Sequence, residues 1–153
     1  MPLNAPRRPA GPRSPLWLAL PVLASLVACA VPAAPAATPA SAPLVGSEWL
    51  LQDLGGRPVL DKVKATLAFP EAGRVTGSGS CNGFFGTYTL IEDRISLGQI
   101  GSTRMACGEG VSEQENRYLD ALRKAERVEV QGTTMWLHTQ GLDKPLRFVR
   151  TKP

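Results

Sequence analysis

The 153-residue chain holds one histidine and three cysteines, and these scarcities exclude whole classes of chemistry. A structural zinc site takes four nitrogen or sulfur ligands, often from C-x-x-C pairs. Cys29, Cys81 and Cys107 form no such pair and His138 alone does not complete a set, so neither a metal nor another cofactor is expected. A thiol nucleophile needs a neighbouring base. His138 is the sole imidazole and sits in a stretch that reads as strand, so the residues suggest no enzyme. A phosphate cradle needs a glycine loop running into a helix or a Gly-Lys-Ser/Thr end. Neither follows the glycines here. No apolar run reaches the roughly 20 residues of a membrane-spanning helix.

What the N-terminus does contain is a short apolar run. Arg7, Arg8 and Arg13 precede "LWLALPVLASLVA", Leu16 to Ala28, which has the length of a signal-peptide core. The run ends in "LVAC", Leu26 to Cys29, which resembles the lipobox of bacterial lipoproteins. The resemblance implies a signal peptide over residues 1–28 and acyl chains, palmitate among them, on Cys29. An ordinary secretory signal with a chance cysteine is the alternative. Ala30 is not the aspartate that retains lipoproteins at an inner membrane. The expected location is therefore the inner leaflet of the outer membrane, facing the periplasm. Removing Arg7, Arg8 and Arg13 leaves 14 basic against 13 acidic residues, a net +1, so no nucleic-acid partner is implied.

Residues 29–45 carry the lipid cysteine and a low-complexity run in which Pro32, Pro35, Pro39 and Pro43 recur among alanines. Such a composition buries no core and favours extended polyproline II. At about 3.1 Å per residue it would reach roughly 50 Å, the length of a tether. The remainder, 46–153, is enough for one domain.

That domain alternates. Val63, Ala65, Leu67 and Phe69 fall on one face of a strand with Lys64 and Thr66 on the other. Ile95 and Leu97, Val128 and Val130, Met135 and Leu137, and Leu146 and Phe148 repeat the pattern. "TYTLI", Thr87 to Ile91, also reads as strand. Turn signals separate the runs at Gly55-Gly56, Pro70 to Gly73, Glu92-Asp93, Gly132 and Gly141 to Pro145. One segment, Ser112 to Ala125, has helical spacing, with Tyr118, Leu119, Leu122 and Ala125 on one face. Ser112 and Glu115 are spaced for a capping box at its start.

The stretches "GSGSCNGFFGTY", "ISLGQIGSTRMAC", "QENRYLDALRKA" and "MWLHTQGLDKPLRF", opened by "SEWLLQDLGGRPV", resemble the META/HslJ-like domain. Cys81-Asn82-Gly83 together with Thr103-Arg104-Met105-Ala106-Cys107 is the most specific part. The resemblance implies an α+β fold, a strongly curved, mostly antiparallel β-sheet, half-barrel-like, packed on a single α-helix. It implies a bacterial envelope protein connected with stress tolerance or secretion, and it carries over no catalytic residue.

With Cys29 consumed by lipid, Cys81 and Cys107 are left as a pair in an oxidising compartment, so a disulfide is expected, two buried free thiols being the alternative. The glycines around Cys81 are expected to supply positive φ beside the bridge. Arg104 and Glu115 are candidates for a partly buried ion pair joining sheet and helix, against capping for Glu115 and solvent for Arg104. Trp49, Phe84, Phe85 and Trp136 line a ligand cleft or, more simply, belong to the core. The expected function is a non-catalytic binding, assembly or stress-protective module, anchored to the membrane and engaging an envelope protein or a small apolar ligand. The alternatives are a carrier of lipid, or an inhibitor of a cell-wall enzyme that inserts a loop such as Thr76 to Ser80.

Overall fold

The computed structural model describes residues 44–152. The expected signal segment, Cys29 and nearly all of the tether lie outside the described residues. The chain runs through β1 (Ser47–Asp53), β2 (Thr66–Glu71), β3 (Arg74–Ser78), β4 (Gly83–Ile91), β5 (Arg94–Leu97) and β6 (Gly101–Ser102). It continues through α1 (Glu109–Arg123), β7 (Ala125–Gln131), β8 (Thr134–Thr139) and β9 (Leu146–Lys152).

Every pairing between the strands is antiparallel, in the order β3-β2-β1-β9-β8-β7-β5-β4, and β4 pairs back onto β3. Eight strands thus close into a barrel, which corrects the half-barrel expectation. Closure follows from the length of β4. Its first half, Gly83 to Thr87, pairs with β3, and its second half, Tyr88 to Ile91, pairs with β5. The short β6 lies against Phe84 and Phe85, along the edge of β4 that β5 uses farther on. The thinnest seam is between β5 and β7, where the ladder is reduced to Arg94 opposite Arg127, supplemented by Val128 N–H donating to the Asp93 carbonyl at 2.8 Å.

The alternating residues read from the sequence fill the interior. Leu67, Phe69, Met135, Leu137, Leu146 and Phe148 are fully buried. Helix α1 stops one end of the barrel. Tyr118 packs edge-on to Phe84 at 6.0 Å and against Phe148 at 6.3 Å, and its hydroxyl donates to the Thr66 carbonyl at 3.0 Å. Farther along β2, Phe69 meets Tyr88 edge-to-face at 5.0 Å, and the Arg150 guanidinium lies 4.7 Å from the centre of the Trp49 ring. Burial pushes the Tyr118 hydroxyl well above its ordinary value of 10.0. Only the neutral phenol donates to Thr66. Stability should therefore be intact below about pH 10 and fall as pH rises beyond it, because the unfolded tyrosine ionises first. A pH series of melts from 8 to 12 checks this.

Several boundaries move: β2 starts at Thr66 rather than Val63, and Ala125, read as the end of the helix, begins β7. Leu44, read as tether, is only 3% exposed and packs in the core, while Gly46 N–H donates to the Phe69 carbonyl at 2.7 Å. The domain therefore begins at least two residues before 46. The helix begins at Glu109 rather than Ser112, with Gly108 at the cap position and no side-chain cap. The capping box does not form, because Glu115 is occupied elsewhere. Pro70, read as turn, lies inside β2 at a register irregularity with β3, a position that tolerates its missing N–H.

The glycine-rich stretch is a β-hairpin, and Gly77, Gly79 and Gly86 serve close approach rather than unusual φ. None of Gly77, Gly79, Gly83 and Gly86 has positive φ; the residue that does is Ser80, at 111°. A Cβ on Gly77 would lie 2.1 Å from the Thr66 carbonyl oxygen and 2.7 Å from the Phe84 ring. Gly77→Ala should therefore destabilise by about 3 kcal/mol, the upper part of the overpacking range. Gly83→Ala, whose nearest neighbour would be 3.9 Å away, should be close to neutral. Urea unfolding of the two variants side by side tests the contrast.

Candidate functional site

The tip of the β3–β4 hairpin, Gly79 to Asn82, meets two other parts of the chain, the strip Thr103 to Cys107 and helix α1. Glu115 projects from the helix to the tip. Its Oε2 accepts from the backbone N–H of Cys81 at 3.0 Å and of Asn82 at 2.6 Å, and its Oε1 accepts from Asn82 Nδ2 at 2.8 Å. The glycine at 79 makes this approach possible, since a Cβ there would lie 2.6 Å from Glu115 Oε2.

Asn82 carries the contact onward. Its Oδ1 accepts from Thr103 Oγ1 at 3.0 Å and from Met105 N–H at 2.7 Å. One buried amide therefore joins hairpin, helix and strip in a clamp. Cys81 and Cys107 are bonded as a disulfide across the same junction, with Cα atoms 6.2 Å apart. Neighbouring Gln114 holds the strained Ser80, donating from Nε2 to its Oγ at 2.7 Å, and accepts from Leu60 N–H at 2.7 Å. Asn82 and Glu115 are 6% and 7% exposed, so water screens these bonds little.

The Arg104–Glu115 ion pair does not form. All of Glu115's bonds in this junction come from the hairpin, where three donors converge, while Arg104 points into solvent. Met105 is likewise outward, 62% exposed, although its backbone is pinned. Phe85, 60% exposed, lies on the outer face of β4 with its ring over Gly101, where a Cβ would come within 2.9 Å. The four aromatics do not share a cleft. Trp49 and Phe84 are core, Phe85 is outside, and Trp136 is half-buried on the outer face of β8. The stretch Thr76 to Ser80 is largely β3, with Gly79 bridged to Ala65, and does not protrude.

The arrangement holds its polar side chains in bonds to one another and to the backbone. Cys81 is held in the disulfide, and His138 contacts Arg127 and Glu129 on strands away from it. Among the described residues no group of three or more His, Cys, Asp or Glu side chains is placed to hold a metal ion, and no helix is long and apolar enough to cross a membrane. Sequence reasoning found both cysteines and Glu115 but missed Asn82, Gln114 and Ser80. Asn82 stood in the most specific motif, Cys81-Asn82-Gly83 with Thr103 to Cys107, but nothing in that motif gave its side chain a role.

Comparison with known proteins agrees with this geometry. No curated protein matches the chain. An NMR structure of a protein from Burkholderia xenovorans is similar, at 26% identity and a TM-score of 0.60, covering 80% of this chain and 100% of that one. A second NMR structure, also 26% identical, has a TM-score of 0.57 and covers 69% of this chain and 90% of its own. The family described as the META domain matches residues 42–153, a span that takes in Leu44, the whole barrel and the clamp, and the chain belongs to that family.

Proposed function

We propose that the protein is a lipid-anchored envelope module that acts by binding rather than catalysis, with the strip Thr103 to Cys107 as its contact surface. The observation that supports this reading is the contrast within the strip. Its backbone is fixed by Asn82 at Met105 and by the disulfide at Cys107, yet Arg104 and Met105 turn their side chains outward. A rigid backbone lowers the ordering entropy a partner must overcome, and an exposed methionine and phenylalanine supply apolar contact. The lipobox-like "LVAC" and the disulfide are consistent with an exported protein whose Cys29 carries acyl chains, two or more being needed for firm anchoring.

The interior of the barrel is filled by side chains, which favours a surface binder over a carrier of apolar ligand. The test is a photo-crosslinking residue at position 104 in the full chain, expressed in its own envelope. One defined adduct is expected, and it should be lost in a Phe85→Ser, Met105→Asp variant that melts like the wild type. An adduct unchanged by that variant would refute the surface. Mass spectrometry of the mature N-terminus tests the anchor; a Cys29 without acyl chains would refute it.

A further inference from the structure

In the closed ring each strand has a neighbour on both sides, whereas β6 pairs with β4 alone. The bonded edge of β6 continues past the end of the strand. Gly101 and Ser102 lie opposite Phe85 and Phe84, Thr103 N–H donates to the Gly83 carbonyl at 3.0 Å, and Met105 N–H donates to Asn82 Oδ1 at 2.7 Å. The Asn82 side chain thus extends the ladder beyond the hairpin backbone. Bonded amides two residues apart are the alternation of a strand, so the N–H and C=O groups of Ser102 and Arg104 face the opposite way. Among the described residues no strand pairs with them there, and residues 102–106 are all exposed.

Proteins blunt an open strand edge with proline, lysine, a bulge or a covering element. From Gly101 to Cys107 there is neither proline nor lysine, and the backbone is fixed by Asn82 and the disulfide. A fixed row of backbone donors and acceptors repeating every ~7 Å, two residues of strand rise, is matched by the backbone of another strand. The side chains set what that strand carries. Phe85 lies opposite Gly101, so Phe85, Thr103 and Met105 share one face, and Ser102 and Arg104 share the other. Phe85 and Met105 are both exposed, so the added strand is apolar on their face. Arg104 is exposed and makes no ion pair among the described residues. A second copy meeting this edge to edge would bring the two Arg104 side chains opposite or diagonal to each other on one face, where like charges repel. The chain's own tether is broken by proline every three or four residues from Pro32 to Pro43 and offers no continuous strand. A foreign strand with a carboxylate opposite Arg104 meets both conditions.

We infer that the open edge of residues 101–106 takes an extended segment of a partner protein as an added antiparallel strand, with apolar side chains beside Phe85 and Met105 and an acidic one opposite Arg104. The inference rests on the strip being the contact surface proposed above, and it names what that surface holds. Backbone bonds to Ser102 and Arg104 supply the attachment, and the alternating side chains supply the choice of segment.

The test follows the amide NMR signals of the full chain as the capped heptapeptide Ser-Val-Glu-Val-Thr-Val-Ser is added. Saturable shifts are expected at Ser102, Thr103 and Arg104. With the peptide's glutamate opposite Arg104, the N–H groups of that glutamate and of the threonine face the edge, and those of the valines point away. N-methylation of the glutamate and threonine should therefore weaken binding about tenfold, the loss of two backbone bonds. N-methylation of two valines should leave it nearly unchanged. Lysine in place of the glutamate should weaken binding about threefold, as for a mismatched cross-strand pair. Arg104→Glu should reverse that preference. Absence of saturable shifts at 102–104, or equal loss from both methylated peptides, would overturn strand addition. A dimer in sedimentation that the peptide dissociates would assign the edge to a second copy and overturn the foreign partner. A crosslinked adduct at position 104 that persists while the peptides fail would leave the contact surface standing without the added strand, so the two failures are distinguishable.

Discussion

Glu115→Ala is expected to lower the stability of the domain by about 4 kcal/mol. The substitution removes three bonds to a charged acceptor, and such bonds contribute about 1.5–3 kcal/mol each before relaxation. It also leaves the buried Asn82 amide and the N–H groups of Cys81 and Asn82 without their partner. A domain of this size has only about 5–15 kcal/mol in total, so a large part of the population should unfold in moderate urea. Glu115→Gln should cost less but not be neutral, since its amide nitrogen must face donors. The size of the loss discriminates. A glutamate serving only a helix cap would cost about 0.5–2 kcal/mol. Asn82→Ala should be costly for the same reason, and the double variant should lose less than the sum of the two, because both residues belong to one network.

Reduction of the Cys81–Cys107 bridge is expected to cost about 3 kcal/mol, the chain-entropy figure for a loop of this size. The bridge spans a separation of 26 residues. The melting midpoint should fall by several degrees while the far-ultraviolet spectrum at room temperature stays β-rich, since the barrel core is independent of the bridge. Cys81→Ser and Cys107→Ser should each reproduce the reduced protein, and the double variant should be no worse, because all three remove the same bond. Two independent losses that add would mean the cysteines contribute as separate core residues.

Much of the barrel was legible because half-buried antiparallel strands alternate. Met135 and Leu137, or Leu146 and Phe148, could only face inward together. What escaped has two physical causes. The first is that β3 and β6 carry glycines where the alternation would place side chains. Gly77 makes room for Phe84, and Gly101 lies beneath Phe85, so the signal is erased by the packing it permits. The second is that closure and the clamp are long-range. Nothing local to Asn82 announces that its amide will reach Met105, or that Glu115, spaced for a helix cap, will instead serve a hairpin more than thirty residues upstream. The same competition moved the helix start to Glu109, since Cys107 is tied to the hairpin and the chain turns into helix directly after it.

The clamp itself is tested most directly by amide hydrogen exchange at Met105. This N–H lies outside any strand or helix, next to an exposed side chain, and its only structural protection is the 2.7 Å bond to Asn82 Oδ1. In the oxidised wild type it should exchange slowly, on the scale of the barrel amides of Leu137 and Phe148, and Asn82→Ala should accelerate it while those barrel amides stay protected. A Met105 amide that exchanges in the wild type at the rate of an open loop would contradict a rigid strip.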